Sequence, residues 1–341
     1  MIRGVLRRLV ALGLCGLLAA CAVPMTYPAG LPAAEPHFLM DWFVARDGIR
    51  MTVRSWRPKG PARAIVVALH GFNDYSNFFA TPGAWLADRG VTSYAYDQRG
   101  FGDGIGIGLW AGTDAYVRDL ADFTALVRRT HPGVPVYVLG DSMGGAVALV
   151  AGAGPAETRP DADGMILAAP AVWGRAAMTW YERAALWTAA HTIPTFRLTA
   201  QGLNIQPSDN IDMLRALGRD WRVIKRTRVE TIHGLVGLMD QALAAAPRFS
   251  EQALILYGGK DDIIPGRPTL DMVRRLPAAT RDRQTFALYD GGYHMLLRDL
   301  NAAVVWRDIL AWIDNARAPL PSGADRRAAR ALEKGALAGK P

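Results

Sequence analysis

Cysteine is nearly absent from this sequence: two residues in 341, Cys15 and Cys21, both at the very start. No disulfide framework is available to the body of the chain, so its own core must hold it together. A run long enough to cross a bilayer is missing too, since the apolar stretch from Leu9 to Ala20 falls short of the required length. Charge of one sign is scarce away from the ends. The formal net charge is +8, but Arg3, Arg7, Arg8 and the basic stretch from Arg317 to Pro341 supply nearly all of it. The body is close to neutral, which argues against nucleic acid as a partner. Metal-ligand spacing and a phosphate-cradling loop followed by Lys are also lacking, so no metal or cofactor is expected. What is present is a chain that is 50% hydrophobic, with ten each of Trp, Tyr and Phe. That composition suits one large globular body.

The amino terminus has a basic start, the apolar run and then Leu18-Ala19-Ala20-Cys21. This is the layout of a secretory signal, and its end resembles a bacterial lipobox, in which cleavage precedes a cysteine that then carries lipid. The resemblance implies a signal over 1–20, a lipidated Cys21 and a linker over 21–37. Ala22 in place of Asp resembles lipoproteins sent to the outer membrane, which implies an exported protein anchored in the cell envelope and facing the periplasm. Two or three acyl chains, at about 0.8 kcal/mol per buried CH₂, give a stable anchor. The oligomeric state is not legible.

From residue 37 onward, β-rich runs recur at 49–56, 64–69, 91–96, 134–139, 165–168, 253–257 and 285–289, with helical spacing between several of them. Over 113–130, Tyr116, Leu120, Phe123 and Val127 recur at three and four residues, predicting a helix. Strands alternating with helices imply an α/β fold with a mostly parallel sheet covered on both faces. The alternation fails over 173–247, which reads as a helical insertion. Residues 317–341 lack periodicity and read as a disordered basic tail.

One segment carries chemistry. An apolar strand runs straight into Gly140-Asp141-Ser142-Met143-Gly144-Gly145, followed by small helical residues. Seven Ser and 35 Gly would supply only about 0.07 Gly-x-Ser-x-Gly matches by chance, and strand, turn and helix are the context a nucleophile elbow demands. Ser142 needs a base. Among six His, His294 lies past the last strand in a glycine-rich loop, while His70, His191 and His233 read as structural or packing residues. An acid should fall between serine and histidine in chain order, and Asp261 and Asp262 follow the strand ending near Tyr257. Either suits. For the oxyanion, the backbone amide after the nucleophile, Met143, and that of Phe72 in His70-Gly71-Phe72 are the candidate donors.

With His70-Gly71-Phe72, Tyr96-Asp97-Gln98-Arg99-Gly100-Phe101-Gly102, Gly140 to Gly145, Gly259-Lys260-Asp261-Asp262 and Tyr289 to His294, the chain resembles the α/β-hydrolase superfamily. Within it, the likeness is to the monoacylglycerol lipase and lysophospholipase branch, which also holds serine aminopeptidases. The resemblance implies an α/β-hydrolase fold divided into core over 38–172, helical cap over 173–247 and core over 248–316. It places the acid three residues after the glycine, on Asp262. Phe101 and Asp141 stand where relatives often have His, implying an altered polarity at the entrance.

Trp173, Trp180 and Trp187 are spaced by seven and are expected to share one helix face, packing the cap down or lining an acyl pocket. The expected activity is hydrolysis of a lipid ester, monoacylglycerol or lysophospholipid, through an acyl-enzyme. Amide hydrolysis, with Glu182 or Glu230 anchoring a substrate amine, and a non-catalytic lipid-binding role are the alternatives. The lipobox reading is tested directly: Cys21→Ser should abolish incorporation of labelled palmitate, and equal labelling of parent and variant would refute it.

Overall fold

The computed structural model describes Pro24 and residues 26–200, 202–203 and 205–335. The signal segment and Cys21 lie outside the described residues. A nine-stranded sheet organises the chain. Its parallel part is built from β4 (Ala64–Leu69), β5 (Val91–Tyr96), β6 (Val136–Asp141), β7 (Gly164–Ala168), β10 (Ala253–Gly258) and β11 (Gln284–Tyr289). The spatial order is β5-β4-β6-β7-β10-β11, every neighbouring pair parallel. On the β5 side, β3 (Arg50–Trp56), β2 (Trp42–Val44) and β1 (His37–Leu39) continue the sheet antiparallel. The remaining strands, β8 (Arg197–Leu198) and β9 (Thr227–Arg228), form a separate two-stranded ribbon.

Every residue of β4, β5, β7 and β10 is buried, which is why these runs read as continuous apolar stretches rather than alternating ones. Nine helices are described. The core helices are α1 (Ala80–Ala87), α2 (Thr113–Thr130), α3 (Met143–Gly152), α7 (Gly266–Arg275) and α8 (Ala302–Asp314). One face of the sheet packs α2 and α3 around Phe123, Leu120 and Val147, and the other packs α1 and α8 around Leu86, Ile309 and Trp312. Between β7 and β10 stand α4 (Trp180–Thr192), α5 (Ile211–Arg219) and α6 (Val229–Ala245). The last of these belongs to the core: it buries Leu235, Leu238, Met239 and Ala242 and packs along α3.

Two expectations change. The segment beyond 316 is not shapeless, because α9 (Ala324–Lys334) packs Ala324 and Ala328 inward, and Arg327 Nε donates to Leu288 O at 3.0 Å. Asp308, fully buried, binds the segment down by accepting from Tyr289 Oη, Ser322 N and Ser322 Oγ. Nor do the three tryptophans share a helix. Thr179 caps α4 through a reciprocal bond pair with Glu182, so the helix starts at Trp180 and leaves Trp173 in the preceding loop, where it packs on the core. Trp180 and Trp187 are 75% and 56% exposed.

The loop after β5 hides a charge cluster. Arg99 sets one edge of its guanidinium against Asp119 and the other against Asp47, with all three side chains sealed from water. Burial pushes the Asp119 carboxyl up to about 6 despite Arg99. Removing the cation would strand two carboxylates. Arg99→Ala should therefore cost about 3–5 kcal/mol and lower Tm by roughly 10 °C in a thermal melt; a shift under about 2 °C would show that the network contributes little.

Candidate active site

Ser142 closes β6 and precedes α3 with φ 51° and ψ −110°, a conformation an L-residue rarely adopts. Its N–H donates to Ala168 O at 2.9 Å, at the end of the neighbouring β7, and its carbonyl accepts from Ala146 and Ala171. Glycine makes the turn possible. A Cβ on Gly140 would collide with the Gly144 backbone, and one on Gly144 with the Leu69 carbonyl of β4. The turn thus presses α3 against the sheet, and Ser142 stands at the carboxyl end of the strands beside a helix N-terminus.

His294 sits in the loop after β11, buried. That loop is stitched to the loop after β10 by Gly259 N to Tyr289 O and Lys260 N to Gly292 O, at 2.8 and 2.9 Å. It is also held from the insertion: Met295 N donates to Pro207 O, and Asp299 accepts from Ser208 Oγ at 2.6 Å and Tyr293 N at 2.8 Å. The acid is corrected here. Asp261, not Asp262, faces the imidazole, its Oδ2 accepting from His294 Nδ1 at 2.8 Å. Two glycines in succession explain the difference of one residue. Gly258 ends β10, and Asp261 N donates back to Gly258 O, so the counting glycine is Gly258 and the third residue after it turns over the sheet edge. The other oxygen of Asp261 accepts from Ile263 N and Ile264 N, which locks the carboxylate. Asp262 stands one residue past that turn.

The charge around the imidazole is asymmetric. Burial alone would lower the His294 pKa, but the charge and hydrogen bond of Asp261, with Asp141 adding to them, raise it above the ordinary histidine value. Asp141 itself is buried beside the nucleophile with Oδ1 lacking a hydrogen-bond partner among the described residues. Burial pushes its carboxyl up to about 6, with Arg298 and His294 pulling the other way. Arg298, whose side chain is 9% exposed, pairs with Asp74 at 2.7 Å. Sequence reasoning missed Asp74, Arg298 and Asp299. The only hint was the adjacent Arg298-Asp299 pair set among Met295, Leu296, Leu297 and Leu300.

The loop after β4 reaches the nucleophile: a Cβ on Gly71 would lie 3.3 Å from Ser142 Cβ. Neither the Phe72 nor the Met143 N–H donates to a protein acceptor among the described residues. His70 is structural, as expected. It accepts from Gln98 N at Nε2 and donates to Gly71 O from Nδ1, and burial lowers its pKa, so the ring is neutral. Gln98 Nε2 returns a bond to His70 O. Phe101 is buried with its ring edge-on to His70 and Phe72, and Asp141 is buried too. Both departures from the resembled pattern therefore act inside the wall of the site rather than on the entrance.

The two acids expected to anchor an amine are both engaged within the insertion. Glu182 is engaged by Thr179, and Glu230, buried, pairs with Arg228. His191 and His233 are occupied, by Trp187 O and by Arg175. Trp173 is half-buried against the core, while Trp180 and Trp187 point outward and do not converge with it on one pocket wall.

Known proteins resemble this chain over most of its length. A monoacylglycerol lipase of Mycolicibacterium smegmatis is 26% identical over 290 residues, covering 80% of this chain and 95% of that protein. The human monoglyceride lipase is 24% identical over 298 residues, covering 84% and 94%. Among solved structures, a soluble variant of the Saccharomyces cerevisiae monoglyceride lipase in complex with a substrate analog superimposes with a TM-score of 0.65. It has 21% identity and covers 85% of this chain and 98% of its own. The family model described as serine aminopeptidase, S33 matches residues 60–301, the span that contains the elbow, the acid loop and the imidazole. The chain belongs to that family of α/β-hydrolases.

Proposed function

We propose that the protein is a serine hydrolase that cleaves carboxylic esters of lipids, monoacylglycerols or lysophospholipids, through an acyl-enzyme. The observation that carries this reading is the His294–Asp261 hydrogen bond in a loop stitched over the strand ends where Ser142 is held in its strained turn. His294 Nε2 takes the Ser142 Oγ proton as Oγ attacks the ester carbonyl, while Asp261 fixes Nδ1–H and offsets the charge formed on the ring. The Phe72 and Met143 amides meet the oxyanion. The imidazolium returns its proton to the leaving alcohol, and a water activated by the same ring releases the fatty acid and restores Ser142.

A lipid substrate is favoured by the relatives' names and by an insertion that exposes Trp180, Trp187, Phe196 and Trp221. A surface of that kind suits a substrate residing in a lipid phase. Anchorage through Cys21 at the outer membrane belongs to the same proposal and would keep the enzyme close to such a phase. Amide hydrolysis is disfavoured, because Glu182 and Glu230 are committed elsewhere.

The reading is tested by turnover of monoacylglycerols and nitrophenyl esters beside aminoacyl anilides, with a fluorophosphonate probe on the same preparation. Ester turnover and labelling that vanishes in Ser142→Ala are expected; labelling that persists would move the nucleophile elsewhere. The acid gives a sharper outcome. Asp261→Asn favours the wrong imidazole tautomer and should lower kcat on the order of 10⁴, whereas Asp262→Asn should stay within about tenfold, the effect of a disturbed turn. The reverse order, with both variants folded by thermal melting, would overturn the assignment.

A further inference from the structure

A basic pocket lies against the oxyanion loop on the side of the insertion. Its volume is about 330 Å³, and it is lined by Arg197 of β8, by Lys225, Arg226 and Arg228 leading into and through β9, and by the apolar Ile107 and Ile224. Two of the cations are committed: Arg228 pairs with Glu230, and the Lys225 ammonium donates to the Asp220 carbonyl. Arg197 and Arg226 are exposed and have no carboxylate partner among the described residues. The apolar wall next to a surplus of cations suits an amphiphile carrying an anion rather than a simple counterion.

The pocket is fastened to the catalytic machinery. Ile224 N donates to Asn73 O at 2.9 Å, and Asn73 Nδ2 donates to Thr227 Oγ1 at 2.7 Å. Asn73 follows Phe72, so the Ile224 wall stands within about 10 Å of that amide. In a glycerophospholipid about six covalent bonds, on the order of 7 Å, separate the acyl carbonyl from the phosphorus. The difference of about 3 Å is shorter than an extended arginine side chain.

We infer that this pocket is a subsite for the phosphate of a lysophospholipid, held by the guanidinium groups of Arg197 and Arg226. The protein would thereby favour phosphate-bearing lipid esters over neutral monoacylglycerols. This rests on the ester-hydrolase reading and narrows its substrate. The shared chemistry of a substrate headgroup and a bilayer surface is the phosphate; the subsite assigns it to the substrate.

The test compares kcat/KM for hexanoyl lysophosphatidylglycerol and monohexanoylglycerol, both below their micelle concentrations. The parent should prefer the phospholipid, and its preference should shrink with added salt. In the Arg197→Ala, Arg226→Ala double variant the ratio should fall about tenfold, and Arg226→Lys should keep most of it. An unchanged ratio overturns the subsite. So does a variant that loses only its binding to phosphatidylglycerol vesicles, which would make the patch a membrane contact. Calorimetric binding of glycerol 3-phosphate supplies a readout without turnover, expected to weaken at least fivefold in the double variant. A parent inactive on every ester, yet showing that Arg-dependent binding, would sink the hydrolase reading and leave the subsite; equal binding by parent and variant would sink the subsite.

Discussion

The backbone of Ser142 is the constraint on which the rest of the molecule depends. A residue with side chain held at φ 51° costs on the order of 1–3 kcal/mol and persists only where its surroundings over-determine it. Here three strands do so. β6 delivers the residue, β7 takes its N–H through Ala168, and β4 brings the Leu69 carbonyl to a distance that only Gly144 tolerates. The parallel core is thus the brace for one turn, and the complete burial of β4 and β7 gives that brace its stiffness.

Around this turn the protein keeps charge in dry places. Arg298 and Asp74 lie behind Asp141, and Asp141 adds negative potential to the imidazole that Asp261 already holds. Farther off, Arg99 binds Asp47 and Asp119 across the loop that supports His70 through Gln98. Each cluster ties a loop at the strand ends to its neighbours. Replacing such a pair as a whole by apolar residues is often neutral, whereas removing one partner strands the other charge and is costly.

How much of this was legible in the sequence follows the length and burial of each signal. The six parallel strands and the helix over 113–130 announce themselves because burial on both faces, or an apolar stripe, leaves a clear pattern. β1 and β2 do not, being three residues each. Ser142 and His294 are marked by glycines and chain order. The acid was not separable, since Gly258 and Gly259 both precede the Asp261-Asp262 pair and only the turn back to Gly258 O decides between them. The tryptophan spacing misled because one cap residue, Thr179, sets where the helix begins. The tail misled because its inward face is Ala324 and Ala328, too small to register as a stripe among arginines.

The packing of α9 has a consequence beyond the fold. β11 is the last strand of its sheet, and such a margin offers unpaired carbonyl and amide groups to any other extended chain. Arg327 occupies the Leu288 carbonyl, and the helix lies along the same strand. Helix α9 therefore covers this margin against strand addition, and its loss would open the Leu288 side of β11 to an extended chain.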